Sequence, residues 1–255
     1  MEFISSKDNK LFKKIKKLKQ KKYREKEGLF IAEGHKFLDF KITPKYIILR
    51  DGDEDRYENI NKFDCLKIIY SDTLFNDIST QENSQGVILV YEFLEKTLDS
   101  LGENIVILDR IQDPGNLGTI IRLIDAVGFK DLILTTGSVD IYNDKTVRSS
   151  MGSLFNLNIN YMSESDLITY LKQNNYNILS SGLTNESVDY NRVKLKGKNA
   201  VVFGNEGQGV SKNILEISDE IVKIPIYGSA ESLNVGVATG IILYKVKEIL
   251  EEYEV

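Results

Sequence analysis

Residues 105–135 read IVILDRIQDPGNLGTIIRLIDAVGFKDLILT, and this stretch decides the fold. Ile105-Val106-Ile107-Leu108 is apolar at every position, as a strand must be when both faces of its sheet are covered. A helical stretch over about 117–127 follows, then a second apolar strand at 131–135. Strand, helix and strand in so short a span form the crossover unit of a parallel sheet. Downstream, a similar unit runs from Leu154 to Ser181, and Ala200-Val201-Val202-Phe203 is another buried strand. Ile221 to Ile226 reads as the last strand, and a final helix begins near Leu233. The expected class for residues 105–255 is α/β, a mostly parallel sheet with helices on both faces.

Upstream, residues 95–104 are polar and read as a linker, and residues 1–94 as a smaller α/β domain. Short strands are expected at Leu29–Ala32, Tyr46–Leu49, Cys65–Tyr70 and Val87–Tyr91, with a helical stretch from His35 to Phe40. The chain opens on a basic arm. Leu11, Ile15 and Leu18 fall on one helical stripe with Phe12 at its edge, lysines cover the remainder, Ser5 or Ser6 is placed to cap the start, and Gly28 ends it.

Composition narrows the classes. Net charge is −5, yet the first 26 residues hold eleven Lys/Arg against three Asp/Glu. Such asymmetry fits a basic arm aimed at a polyanion, or else a solvated helix face. One cysteine (Cys65) and one histidine (His35) exclude an intrachain disulfide and any zinc or iron–sulfur cluster built on Cys and His. No apolar run reaches the length of a membrane span. A reduced, cytoplasmic protein is the expectation.

Three loops follow strands in the second half: Asp113-Pro114-Gly115-Asn116 through Arg122; Gly204-Asn205-Glu206-Gly207-Gln208-Gly209; and Ile224-Pro225-Ile226 with Ser232-Leu233-Asn234-Val235. Ligands of open parallel sheets sit where such loops converge, at the carboxyl ends of the strands. There is no G-x-G-x-x-G and no P-loop, and a Ser–His–Asp hydrolase would have to borrow His35 from the other domain. The last helix adds a hint. Val235, Val237, Ala238, Ile241, Ile242, Leu243 and Val246 spread almost around it, so it must be buried on two sides. The sheet supplies one side and a second subunit is expected on the other, with Gly236 and Gly240 allowing close approach there.

In this order the loops resemble the SpoU/TrmH class of RNA ribose methyltransferases, within the SPOUT superfamily. The shared patterns are N-x-G-x-x-x-R at 116–122, G-N-E-G-x-G at 204–209, and I-P with S-L-N-V at 224–235. Lys145, Arg148, Ser150 and Gly152 fit the class's K-x-x-R-x-S-x-G stretch. The first domain is similar to the substrate-binding module of rRNA-directed members through Tyr23-Arg24, Phe30, Glu33-Gly34 and Gln85-Gly86, with Ser84 where relatives often have His.

The resemblance implies a deep trefoil knot and a homodimer through the knot region and final helix. It implies S-adenosylmethionine as methyl donor, held by backbone around Gly204, Ile224 and Leu233, and no metal. Arg122 is implied at the ribose 2′-hydroxyl or the adjacent phosphate, Asn116 as orienting Arg122 or the ribose, and Glu206, Ser232 and Asn234 as further active-site residues. The expected partner is structured RNA, ribosomal RNA ahead of transfer RNA. A catalytically silent RNA-binding or ribosome-assembly protein on the same fold is the rival.

Overall fold

The computed structural model describes residues 1–98 and 101–253. Two compact units account for them: Met1–Leu94 with Asp140–Phe155, and Glu95–Val139 with the chain from Asn156 onward. Asp99 and Ser100 of the expected linker, and Glu254 and Val255 at the end of the expected second domain, lie outside the described residues.

The first unit holds a five-stranded sheet of β1 (Glu2–Ile4), β2 (Leu29–Glu33), β3 (Tyr46–Arg50), β4 (Leu66–Tyr70) and β5 (Val87–Glu92), in the order β1-β4-β3-β5-β2. β1, β4 and β3 run parallel, while β5 lies antiparallel to both β3 and β2, with Ile31 opposite Val90. The arm is two helices rather than one, α1 (Lys10–Lys17) and α2 (Lys21–Glu27), with α3 (Asp72–Ile78) further on. Asn9, not Ser5 or Ser6, caps α1, its Oδ1 accepting from the amides of Leu11 (2.8 Å) and Phe12 (3.1 Å). Phe12, Ile15 and Leu18 are buried and Leu11 only half-buried, so the stripe is rotated by one position from the expected one. Gly28 ends α2 at φ +62°.

Residues 140–155, expected within the second domain, group with the first unit. Aromatic packing explains why. Tyr142 stacks on Phe93 (4.1 Å between centroids) and meets Phe30 (4.6 Å), and Phe155 meets Tyr91 (4.8 Å) and Phe40 (5.2 Å). Gly152, at φ +89°, has no room for a side chain, because a Cβ there would lie 2.1 Å from the Phe40 ring. Arg24, counted in the basic arm, is buried: it donates to Asp140 Oδ2 at 2.7 Å and to the carbonyls of Leu18 and Lys19.

In the second unit, β6 (Asn104–Asp109), β7 (Asp131–Thr135), β8 (Asn158–Met162), β9 (Asn177–Ser181), β10 (Val188–Asp189), β11 (Asn199–Gly204) and β12 (Glu220–Lys223) form one sheet, ordered β10-β12-β9-β11-β6-β7-β8. Every pairing is parallel. The helices are α4 (Pro114–Val127), α5 (Asp144–Ser150, in the first unit), α6 (Glu164–Gln173), α7 (Lys212–Leu215) and α8 (Val235–Tyr253). From β6 the chain builds outward through β7 to β8, then crosses to the other side for β9. That reversal is a topological switch point, where loops diverge and open a crevice.

The loop after β6 feeds α4. Asp113 Oδ1 accepts from the Asn116 amide (2.8 Å) and Pro114 takes the first helical position. α8 packs along α4. A Cβ at Gly236 would meet Thr119 at 3.3 Å, and one at Gly240 would meet Leu123 at 3.4 Å. The two glycines expected to admit a second subunit thus admit α4 of the same chain. Ile242, Leu243 and Val246 are buried, while Val237 and Tyr244 stay 52% and 55% exposed.

Candidate active site

The loops after β11 and β12 face each other across a cleft of about 560 Å³, within the size range of small-molecule sites. One wall is the backbone of Gly204 to Gly209; the other is Ile224, Ile226 and the run Ser232 to Val235, with Ala238 and Ile242 of α8 behind it. Gly204, Ile224 and Leu233, expected around a nucleoside, all line it, as do Glu206, Ser232 and Asn234.

The loop from 204 to 210 is a tight return. Asn205 and Gly209 pair as an antiparallel bridge, and Asn205 Oδ1 accepts from the amides of Gly207 (2.9 Å) and Gln208 (3.0 Å). A Cβ on Gly204 would lie 2.1 Å from Val210 N and from the Gly209 carbonyl carbon. Glycine is therefore demanded there by the loop's own backbone.

Three residues from the three loops meet beside the cleft. Asn116 Nδ2 donates to Glu206 Oε1 (3.1 Å), and Asn234 Nδ2 donates to Asn116 Oδ1 (3.0 Å). Glu206 also accepts from the amides of Gln112 and Asp113, each at 3.2 Å. Burial pushes the Glu206 carboxyl up, but the bonds from Asn116 and the backbone outweigh it and hold it below the ordinary glutamate range. Asn234 caps α8, its Oδ1 accepting from the Gly236 amide at 2.9 Å.

Arg122 stands apart. It is exposed on α4, does not line the cleft, and makes no hydrogen bond or ion pair among the described residues. The Asn116 amide bonds Glu206 and Asn234, and among the described residues no hydrogen bond joins it to Arg122. Ser232 is exposed and makes no hydrogen bond among the described residues. Among those residues no group of three or more His, Cys, Asp or Glu is placed to hold a metal. Sequence reading assigned no role to Asn205, whose signal was an Asn one residue past a strand-ending Gly, where Asx turns form.

A cleft at the carboxyl ends of a parallel sheet, walled by backbone and aliphatic side chains, fits a flat nucleoside and its polar edge. The class this fold defines is an α/β methyltransferase. Residues 103–244 match the SpoU rRNA methylase family and residues 9–89 the MRM3-like substrate binding domain; the chain belongs to the SpoU family. It is an RNA ribose 2′-O-methyltransferase with S-adenosylmethionine as methyl donor.

The chain is 32% identical to the 23S rRNA (guanosine(2553)-2′-O)-methyltransferase RlmP of Bacillus subtilis strain 168, over 97% of this chain and 100% of that one. It is 34% identical to the tRNA (guanosine(18)-2′-O)-methyltransferase of Aquifex aeolicus, over 65% of this chain and 82% of that one. An AdoMet-bound rRNA methyltransferase from Sinorhizobium meliloti superposes with a TM-score of 0.86 at 30% identity, covering 98% of both chains.

Among the described residues no helix is long and apolar enough to cross a membrane.

Proposed function

We propose that the substrate is ribosomal RNA and that the Glu206–Asn116–Asn234 cluster is the core of the catalytic site. The observation that carries the site is this chain of hydrogen bonds, which ties the three loops together at the cleft wall. Ribosomal rather than transfer RNA is favoured because the rRNA-acting relative matches the whole length, whereas the tRNA-acting one matches 65% of the chain.

When bound, the sulfonium supplies an electrophilic methyl group. Backbone at Gly204, Ile224 and Leu233 would hold its nucleoside in the cleft. The chain would then present a ribose hydroxyl to that methyl: the O–CH3 bond would form as the S–CH3 bond breaks, the thioether S-adenosylhomocysteine would leave, the hydroxyl proton would pass to solvent, and the charge developing on oxygen would have to be accommodated. Arg122 is suited to that task. A guanidinium is always protonated, so it is no base, but it grips a phosphate through two parallel bonds and stabilises a forming alkoxide. Making no hydrogen bond or ion pair among the described residues, it is free to do so. Asn116 and Glu206 act by fixing loop geometry, and Ser232 offers the ribose an exposed hydroxyl at the cleft.

The same reading includes a homodimer, supported by exposed Val237 and Tyr244 on α8, and the trefoil knot of the class. A ribosomal substrate places the protein in the cytoplasm.

The test is methyl transfer from labelled S-adenosylmethionine to purified rRNA and tRNA, with the modified nucleotide mapped by mass spectrometry. A ribose methyl on one rRNA nucleotide is expected. Methylation of tRNA alone, or cofactor binding with no transfer to any RNA, would overturn it.

A further inference from the structure

Asp109 ends β6 and Arg110 follows it, and nothing in the chemistry described so far uses them. Asp109 is fully buried. Its Oδ1 accepts from the Thr135 hydroxyl (2.9 Å) and its Oδ2 from the Ser211 amide (2.8 Å). The Arg110 guanidinium closes on the same carboxylate at 3.2–3.3 Å. A buried carboxylate needs such a counter-charge, since an unpaired one would be strongly unfavourable.

Arg110 reaches further. Its Nη1 donates to Gln208 Oε1 (3.2 Å), and Nη2 lies 3.5 Å from the Gly209 carbonyl. Its own carbonyl accepts from Asn205 Nδ2 (2.9 Å), and its amide donates to Thr135 Oγ1 (2.9 Å). The residue adopts φ +56°, a left-handed conformation rare for a side chain of this kind. The turn lets the carbonyl and the guanidinium of one residue hold different points of the same loop.

The loop from 205 to 211 is thereby fastened at its start by Asn205, in its middle by Gln208 and Gly209, and at its end by Ser211. All the fastenings converge on one dipeptide. Glu206 has separate partners after β6 and is left out of this set. Asn205 to Gly209 form one wall of the cleft.

We infer that Arg110 is a positioning residue for the donor-binding loop, acting through Gln208 and Gly209 with buried Asp109 as its anchor. The inference rests on the proposed placement of S-adenosylmethionine in this cleft. It touches neither the RNA nor the reacting atoms.

Calorimetry with S-adenosylmethionine, on the full chain without RNA, tests it. Wild-type protein must first bind; if it does not, the placement of the cofactor fails and not this inference. Arg110→Ala should weaken binding roughly tenfold, the scale of losing charge-assisted hydrogen bonds. Arg110→Gly separates backbone from side chain, because glycine accepts the positive φ freely. It should weaken binding as much as alanine does. Arg110→Lys should not restore affinity, since one ammonium cannot hold Asp109 and Gln208 together. Hydrogen exchange of the amides from 206 to 209 should quicken in all three variants, while thermal melting confirms that each is folded. Affinity within twofold of wild type in the glycine variant, or unchanged exchange in the loop, would overturn the role of the guanidinium.

Discussion

Asn116 and Glu206, 90 residues apart in sequence, are joined by a 3.1 Å hydrogen bond in which the amide donates to the carboxylate. Through it the loop opening α4 is tied to the loop leaving β11. A neutral isostere tests the carboxylate. Glu206→Gln keeps one acceptor but must turn an NH₂ toward the amides of Gln112 and Asp113 or toward Asn116. Methyl transfer should fall by more than about tenfold, with cofactor affinity reduced, as measured by initial rates and calorimetry.

The depressed acidity of Glu206 also sets a pH window. A carboxyl held lower in the folded state than in the unfolded one stabilises the fold above the ordinary glutamate range. That contribution disappears as pH falls through the lowered value. Cofactor binding should therefore be level from neutral pH into mildly acidic solution and decline only below the usual carboxylate range. In Glu206→Gln this acid limb should vanish. A decline already between pH 7 and 6 would show that some other group governs the loop.

Asn234 has two jobs that one substitution separates. Its Oδ1 caps α8 at Gly236, and its Nδ2 donates to Asn116. Asn234→Asp keeps the cap and removes the donor, so stability should hold while activity falls. Asn234→Ala removes both and should also lose about 1 kcal/mol. Equal melting temperatures for the two variants would refute the capping role.

What could be read from the sequence follows physical locality. The parallel sheet was legible because Ile105–Leu108 and Ala200–Phe203 are apolar throughout, which only doubly covered strands require. Gly204 was legible as special, but its reason was not: the crowding comes from Gly209 and Val210 folding back over it. The pairing of Gly236 with Thr119 and Gly240 with Leu123 was equally hidden, since a helix apolar all round does not say which neighbour lies on which side. The placement of residues 140–155 depends on where Tyr142 and Phe155 find their ring partners, which no local pattern records. Arg24 looked like one more basic residue of the arm until its bond to Asp140 made it a buried one.

Gly204→Ala follows from that crowding. A Cβ 2.1 Å from the Val210 nitrogen must displace the loop, so the melting midpoint should drop by several degrees together with cofactor affinity. Loss of affinity without loss of stability would mean that the methyl obstructs the cofactor directly.

Arg122 offers the reverse pattern. It is exposed and makes no hydrogen bond or ion pair among the described residues, so Arg122→Ala should leave melting temperature and cofactor affinity unchanged. Methyl transfer should fall by at least about a hundredfold if the guanidinium stabilises the transition state. Arg122→Lys should recover little, because a point charge does not reproduce the fork. A few-fold loss in the alanine variant would remove Arg122 from the site.

The lysine arm is the last case, and the structure sorts its members. Lys13 pairs with Asp8 (2.7 Å), Lys14 with Glu27 (2.7 Å) and Lys16 with Asp77 (2.9 Å), while Lys19 donates to the carbonyls of Asp77 and Ser79. Lys10, Lys17 and Lys22 are exposed and form no ion pair among the described residues. Lysines already matched to acids have neutralised part of their field, so the unmatched ones should dominate any contact with phosphate. Each phosphate neutralised releases counterions and steepens the fall of log affinity with log salt by about 0.7–0.9. Changing Lys10, Lys17 and Lys22 together to Gln should flatten the slope for RNA binding by about two and weaken binding at low salt. Changing Lys13 and Lys16 should have a smaller effect, since exposed ion pairs are worth only about 0–1 kcal/mol and swing open readily. The cleft proposed for the cofactor lies in the second unit, so cofactor binding should not move in either variant. Equal slopes for wild type and the triple variant would mean that the arm is a solvated face, and that its lysines serve solubility and local pairing rather than RNA.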